Sequence, residues 1–289
     1  MFVKAFAKIN VYLDVLSKRE DGYHEMEMVM LPLELHDTIT IDYIPQLMDS
    51  YITCDHVELG EVKYNLINLT IKALREKYHF KQNFNISVHK EIPIKAGLGG
   101  GSSNAAAILN AFNSILKLKI NENTLNIIAK TLGADVPFCL KNKPSLVQGI
   151  GEKLTSIKLK NQYEVLIIKP EQGLSTKHVF EKADTISLDH GNVNDVIKAL
   201  EEGDDDLLAK SMFNSLEKAS IELAPEIIDV KSMLKKDGLK MVLMSGSGSC
   251  VYGLTKDVHL AKRLYKKYEK EGYEVYLTRT LKWIDTQLF

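Results

Sequence analysis

The sequence predicts an α+β fold in two lobes, each a sheet backed by helices, and three observations carry that expectation. The first third alternates apolar and polar residues with period 2. After a glycine run at 97–101 the period changes to 3.6. The second half then sets short apolar strands among helical stretches in an order that strict βαβ alternation does not reproduce.

Taken in order, Ile9, Val11, Leu13 and Val15 alternate with Asn10, Tyr12 and Asp14, and Ile39, Ile41 and Tyr43 alternate with Thr40 and Asp42. Such a pattern suits half-buried antiparallel strands. Between them, residues 18–24 make a polar turn around Gly22. A helix is expected over 65–78, with Leu66, Leu69, Ala73 and Leu74 on one face, then a short strand over 84–89 before Pro93. Ala105, Ile108, Leu109, Phe112, Ile115 and Leu116 fit a helix that Ser102 or Ser103 is placed to cap. A further helix carries Leu125, Ile128, Ala129 and Leu132 and stops at Gly133.

Residues 145–159 read as a hairpin turning near Gly149–Glu152, and 164–170 as a short buried strand. Helices follow between 176 and 237, with Asp204–Asp206 expected in a solvated loop between two of them. Strands at 240–244 and 250–254 flank the turn Ser245-Gly246-Ser247-Gly248-Ser249, and an amphipathic stretch at 258–271 and a strand at 273–281 close the order. Segment 45–64 carries no recognisable motif. A boundary near residue 160 divides the chain into domains 1–160 and 161–289.

Composition narrows the function classes. The 289 residues are 45% hydrophobic and 26% charged, and Lys+Arg 37 against Asp+Glu 38 leaves a net charge of −1. No global charge bias favours nucleic acid or an anionic membrane as partner. Cys54, Cys139 and Cys250 lie far apart and are odd in number, which fits a reducing cytoplasm better than a disulfide framework. No run of about 18 apolar residues suggests a membrane span. Lys8, Asn10 and Asp14 interrupt the apolar start, so a signal peptide is not expected. Seven of the eight histidines, 36, 56, 79, 89, 178, 190 and 259, show no ligand spacing, and no metal-binding cluster is expected.

The chemistry concentrates at residues 92–106, Ile-Pro-Ile-Lys-Ala-Gly-Leu-Gly-Gly-Gly-Ser-Ser-Asn-Ala-Ala. Glycines let backbone N–H groups approach an anion, and a helix start adds unpaired donors and about half a positive charge. Polyphosphate is the natural ligand. The segment lacks the Gly-Lys-Ser/Thr ending of the common P-loop, and Ser102 stands where a dinucleotide fingerprint needs its third glycine.

This loop resembles the nucleotide loop of the galactokinase, homoserine kinase, mevalonate kinase and phosphomevalonate kinase superfamily. Two further segments support the resemblance: Ala7-Lys8-Ile9-Asn10 near the start and Met244–Ser249 near the end. Within the superfamily, Asp21-Gly22-Tyr23-His24 and Leu132-Gly133-Ala134-Asp135-Val136-Pro137-Phe138 are similar to the 4-diphosphocytidyl-2-C-methyl-D-erythritol kinase family. The resemblance implies an N-terminal lobe like domain 2 of ribosomal protein S5, a ferredoxin-like C-terminal lobe, and an active site in the cleft between them. It implies transfer of the γ-phosphoryl of ATP, with Mg²⁺, to the 2-hydroxyl of a small molecule carrying a cytidine diphosphate group. No nucleic acid or membrane partner is implied, and the protein is expected as a monomer or homodimer.

The same resemblance implies the site. Lys8 and Asp135 match the catalytic pair. Pro93, Ala96, Gly97, Leu98, Gly99, Gly100, Gly101, Ser102, Ser103 and Asn65 match the ATP site. Asn10, Tyr23, His24, Thr176, Phe180, Gly246 and Ser247 match the acceptor side, with Tyr23 and Phe180 as a stacking clamp. A carboxylate of reference pKa about 3.9 is a feeble base towards an alcohol, so Asp135 is expected to align the hydroxyl and take its proton late, with Lys8 steadying charge. With no evident carboxylate pair for Mg²⁺, Ser102 or Ser103, phosphate oxygens and water would complete its shell. Bland alternatives exist for each: Lys8 as a strand-edge lysine, Asp135 and Asn65 as helix caps, and Phe180 as core. Competing functions are another kinase of the superfamily, taking homoserine or a mevalonate-type alcohol, and a catalytically silent nucleotide-binding regulator.

Overall fold

The computed structural model describes residues 1–46, 49–55 and 65–281. His56 and part of the 45–64 segment lie outside them. The chain forms two compact units that interleave in sequence, one of Met1–Ala7, Leu35–Pro93 and Gly99–Asn142, the other of Lys8–Glu34, Ile94–Leu98 and Lys143–Phe289. The long strands β1 (Phe2–Lys18) and β2 (His24–Tyr43) each run from one unit into the other, so no single cut in sequence separates them.

The first unit adds β3 (Tyr51–Cys54), α1 (Leu66–Tyr78), β4 (Phe84–His89), α2 (Gly100–Ile115), α3 (Glu122–Leu132) and α4 (Val136–Lys141). The end of β2 pairs antiparallel with β4, from Thr38 opposite His89 to Tyr43 opposite Phe84, and β3 runs parallel to β4. The period-2 pattern holds for Ile39, Ile41, Phe84, Ile86 and Val88, which are buried, but not for Tyr43, which is exposed at the strand end. Ile67, Ile71 and Leu74 of α1 and Ile108, Leu109 and Phe112 of α2 join that core. Phe112 meets Phe84 at 4.8 Å and Phe80 at 5.8 Å between ring centroids. Truncating so central a ring to alanine costs about 3–5 kcal/mol.

The second unit contains β5 (Ser145–Gly149), β6 (Lys153–Ser156), β7 (Glu164–Lys169), α5 (Thr176–Ala183), α6 (Val193–Glu202), α7 (Asp205–Ser211), β8 (Phe213–Asn214), α8 (Glu217–Leu223), α9 (Glu226–Lys236), β9 (Met241–Met244), β10 (Val251–Thr255), α10 (Val258–Lys270) and β11 (Glu274–Arg279). Strands β11, β7, β10 and β9 form an antiparallel four-stranded sheet in that order. Helices α9 and α10 pack on it. The apolar run Val165–Ile168 is wholly buried, as a central strand requires. The start of β2 pairs with β5, which turns into β6, and β1 carries β8 alongside Tyr12 and Leu13.

Several local expectations need correction. β1 is not half-buried but buried on both faces from Ala7 to Val15, Asn10, Tyr12 and Asp14 included, and α1 buries Ile67 and Ile71 while Leu69 is exposed. Neither Ser102 nor Ser103 caps α2; Gly99 takes that position at φ 72°, where glycine meets no Cβ penalty, and both serines lie inside the first turn. Asp204–Asp206 is not a loop but the start of α7. The Asp204 side chain accepts from Leu207 N, and Asp205 and Asp206 follow in the first turn, where the helix dipole favours acids. The motif-free segment contains β3, four residues that the sequence pattern does not betray.

Candidate active site

In the first unit the glycine loop opens α2 on a buried polar footing. Asp37, fully buried, accepts hydrogen bonds from Glu91 N at 3.0 Å, Ile92 N at 2.9 Å and Asn104 Nδ2 at 2.9 Å, and pairs with the buried Lys90 ammonium. A Cβ on Gly100 would lie 3.2 Å from that Lys90 Nζ and from Ile92 Cγ2. The incoming segment and the first turn of α2 are thereby tied to one carboxylate. Ser103 is buried; its hydroxyl donates to Phe6 O at 2.6 Å, and its N–H donates to Gly99 O. Ser102 stays half-buried, and Gly101 is exposed.

Asp135 stands immediately before α4 with αR backbone angles, and its side chain makes no cap hydrogen bond. The carboxylate is therefore not spent on the bland role of a helix cap. The Gly133 turn that presents it lies against the start of α2: a Cβ at Gly133 would be 3.9 Å from Ser102 Oγ. Asn65 does cap. Its Oδ1 accepts from Ile67 N at 2.9 Å at the start of α1. Pro93 is buried.

In the second unit, three distant stretches converge. Lys8, 4% exposed, donates from Nζ to Asn10 Oδ1 at 2.8 Å, and its backbone N–H donates to Leu98 O at 3.0 Å. Asn10 is fully buried; its Nδ2 has no partner among the described residues, and its carbonyl accepts from Tyr252 OH at 2.7 Å. A buried amide donor without a partner costs about 1–3 kcal/mol and is expected where a ligand supplies the acceptor. The turn at 245–249 closes on the same place. Ser245 Oγ donates to Gly97 O at 3.0 Å, and a Cβ on Gly246 would sit 3.3 Å from Lys8 Nζ. Ala96 and Leu98 are buried, so their part in the loop is to shape its backbone.

Asn214 holds that turn by donating from Nδ2 to Gly246 O at 2.8 Å and to Met244 O at 3.0 Å. Thr176 and Ser247 share a hydroxyl–hydroxyl bond of 3.0 Å, and Ser220 donates to Ser247 O. Sequence reading named Lys8, Asn10, Thr176, Gly246 and Ser247 but missed Asn214. The available signal was slight: a polar Asn-Ser pair following Phe213, between two helical stretches.

Also in the second unit, the turn at 18–24 is tied down many times over. Arg19 N donates to Tyr23 O at 2.8 Å, Gly22 N to Arg19 O at 3.1 Å, and Tyr23 N to Asp21 Oδ1 at 3.1 Å. Arg19 bridges Asp21 and Glu25 and holds the Asp21 carboxyl below the usual range. Tyr23 is nevertheless 60% exposed on this fixed turn. Next to it, His24 stacks on Phe180 at 4.8 Å with ring planes 32° apart. Among the described residues Phe180 makes no ring contact with Tyr23.

The described residues contain no group of three His, Cys, Asp or Glu side chains able to hold a metal and no helix long and apolar enough to cross a membrane. Cys54, Cys139 and Cys250 are unbridged, and burial pushes the Cys250 thiol up.

Comparison with known proteins places this geometry. Residues 65–143 match the model of the N-terminal domain of GHMP kinases, and residues 196–274 match that of the C-terminal domain. A protein of Caldicellulosiruptor bescii described as 4-diphosphocytidyl-2-C-methyl-D-erythritol kinase is 37% identical over 281 residues, 97% of this chain and 98% of its own. One of that description from Clostridioides difficile is 38% identical over 274 residues, 93% of this chain and 92% of its own. A crystal structure of 4-(cytidine 5'-diphospho)-2C-methyl-D-erythritol kinase is similar at TM-score 0.81 and 29% identity, covering 98% of this chain and 100% of its own. The homoserine kinase of Cytophaga hutchinsonii shares the fold at TM-score 0.72 and 19% identity, covering 97% of this chain and 94% of its own. With both family halves matched in order and relatives alike over nearly the whole length, the chain belongs to the GHMP kinases and is an ATP-dependent phosphotransferase with an alcohol acceptor.

Proposed function

We propose that this chain phosphorylates the 2-hydroxyl of 4-diphosphocytidyl-2-C-methyl-D-erythritol, a step of non-mevalonate isoprenoid synthesis carried out in the cytoplasm. The observation that carries the reading is the full-length identity of 37–38% with kinases so described. The exposed Tyr23 on its hydrogen-bonded turn and the stacked His24–Phe180 pair support it, because a flat nucleobase needs aromatic surface while homoserine or mevalonate does not.

In this reading the amides at the start of α2, Gly99 to Ser102, cradle the ATP phosphates, the helix dipole offsetting part of their charge. Phosphoryl transfer needs alignment and charge neutralisation more than covalent catalysis. Asp135 holds the acceptor hydroxyl in line and takes its proton late. Lys8, fixed by Asn10, stabilises charge on the transferring group. Asn10 donates from its unpartnered Nδ2 to the acceptor, Thr176 and Ser247 present hydroxyls to it, and Asn65, while capping α1, contributes to the ATP side. A Mg²⁺ ion brought with ATP would be held by a serine hydroxyl of the loop, phosphate oxygens and water, and would neutralise phosphate charge. Ser102, half-buried where Ser103 is buried, is the more accessible hydroxyl to ligate it.

Release of ADP, followed with a panel of acceptors, tests this directly. Turnover is expected with the cytidyl diphosphate substrate. Turnover with homoserine or mevalonate and none with that substrate would move the chain to another branch of the family, and no turnover with any acceptor would leave a silent nucleotide binder.

A further inference from the structure

Asp184, the residue that ends α5, sits between the Lys18 ammonium and the His24 imidazole and enters none of the roles above. Its Oδ1 lies 2.7 Å from His24 Nε2 and its Oδ2 lies 2.5 Å from Lys18 Nζ. The Lys18 hydrogen bond, and after it that of His24, hold the Asp184 carboxyl below its usual range, so the group is an acceptor only. A neutral imidazole facing a carboxylate through Nε2 must carry its proton there. His24 Nδ1 then keeps a bare lone pair. Among the described residues that nitrogen has no hydrogen-bond partner, and the side chain is 11% exposed, held by its stack on Phe180.

We propose that Asp184 is a positioning residue that locks His24 as the Nε2–H tautomer, so that Nδ1 accepts a hydrogen bond from an amino-bearing pyrimidine and rejects a keto one. The inference rests on the reading that Tyr23, His24 and Phe180 receive a nucleobase. Cytosine and uracil differ at ring position 4, where an amino donor in one is a carbonyl acceptor in the other. Against a fixed acceptor the amino group gains a hydrogen bond, while the carbonyl sets lone pair against lone pair. A ring free to change tautomer loses this discrimination, because its Nδ1–H form donates to the carbonyl. Asp184 thus acts on the ligand only through His24, and Lys18 acts only on Asp184.

Calorimetric titration with CMP and UMP at pH 8.5 tests this on the full chain, using wild type, Asp184→Asn and Lys18→Ala. Asparagine at 184 faces Nε2 with either its oxygen or its amide, so both tautomers become accessible. Wild type is expected to prefer CMP by about tenfold or more, the worth of one well-placed hydrogen bond. Asp184→Asn should cut that ratio to about threefold or less, mostly by weakening CMP, while Lys18→Ala should keep it. In the unliganded proteins, ¹⁵N shifts of the His24 ring should report the Nε2–H form in wild type and a mixture in Asp184→Asn. An unchanged CMP/UMP ratio in Asp184→Asn, or one tautomer in both proteins, overturns the proposal. A wild type that binds neither nucleotide overturns the nucleobase reading itself and the proposal with it, a result distinct from an unchanged ratio.

Discussion

Gly97 and Ser245 approach so closely that a Cβ on Gly97 would lie 2.0 Å from the Ser245 carbonyl oxygen. The two residues are 148 positions apart in the chain, and Ser245 Oγ also donates to Gly97 O. Gly97 further sits at φ 71°, where a side chain is strained whatever the space around it. Gly97→Ala therefore has no soft neighbour to displace, because the obstruction is backbone. We expect it to lower thermal stability markedly, by about 3 kcal/mol or more, or to prevent folding. Gly22→Ala is the control: φ is 83° but nothing lies within 4 Å of its added Cβ, so only about 1–2 kcal/mol should be lost. Denaturant midpoints of the two variants against wild type check the contrast.

Asp135 offers a cleaner separation of chemistry from folding. Its side chain does not cap α4, so removing it withdraws no cap energy. Asp135→Ala is expected to reduce kcat by about a thousandfold or more, with ATP affinity within a few-fold and the unfolding midpoint near that of wild type. Single-turnover rates, nucleotide titration and a melt on one preparation would show it. Loss of folding with the activity would return Asp135 to a structural role.

Much of this was legible in the residues and some was not, for physical reasons. Period 2 located β4 and the end of β2, where one face is buried, but β1 hides both faces from Ala7 to Val15. Period 3.6 located α2 and α3, and also α1, although α1 buries Ile67 and Ile71 rather than the expected Leu69. The loop at 97–101 announced itself because close backbone approach demands glycine. Asn214 and Asp37 did not, since single polar residues reveal burial only through partners far away in sequence. Asp37 meets Asn104, 67 residues on, and Asn214 meets Gly246, 32 residues on. The capping role expected of Ser102 or Ser103 failed because glycine in the left-handed region starts the helix earlier than side-chain preference suggests.

The Asp37–Lys90 pair yields a stability test at the foot of the phosphate loop. Both side chains are buried, at 0% and 3% exposure, so removing one partner strands the other's charge. Asp37→Ala should cost about 3–5 kcal/mol, and Lys90→Met a comparable amount. The double variant should lose clearly less than the sum, because neither charge is then left alone. Asp37 also accepts from Glu91 N, Ile92 N and Asn104, so Asp37→Ala should raise KM for ATP even in protein that remains folded. Additive losses, or an unchanged KM, would remove Asp37 from the support of the loop.

Asp184 makes a prediction about pH that is independent of ligand. Lys18 first, and His24 second, depress its carboxyl below the ordinary value near 3.9. A carboxyl whose folded pKa lies below its unfolded one binds fewer protons when folded. Its stabilising contribution is therefore fully present above the unfolded pKa and is lost as pH falls through the folded one. Asp184→Asn should accordingly be less stable than wild type at pH 7 and converge with it as the solution is taken below about pH 4. The group is partly exposed, so salt should shrink the difference at neutral pH. Melting curves of both proteins from pH 7 down to pH 3, each at low and high salt, measure this. A gap that stays constant to pH 3 would mean that the variant is destabilised by packing rather than by loss of the charge held between Lys18 and His24.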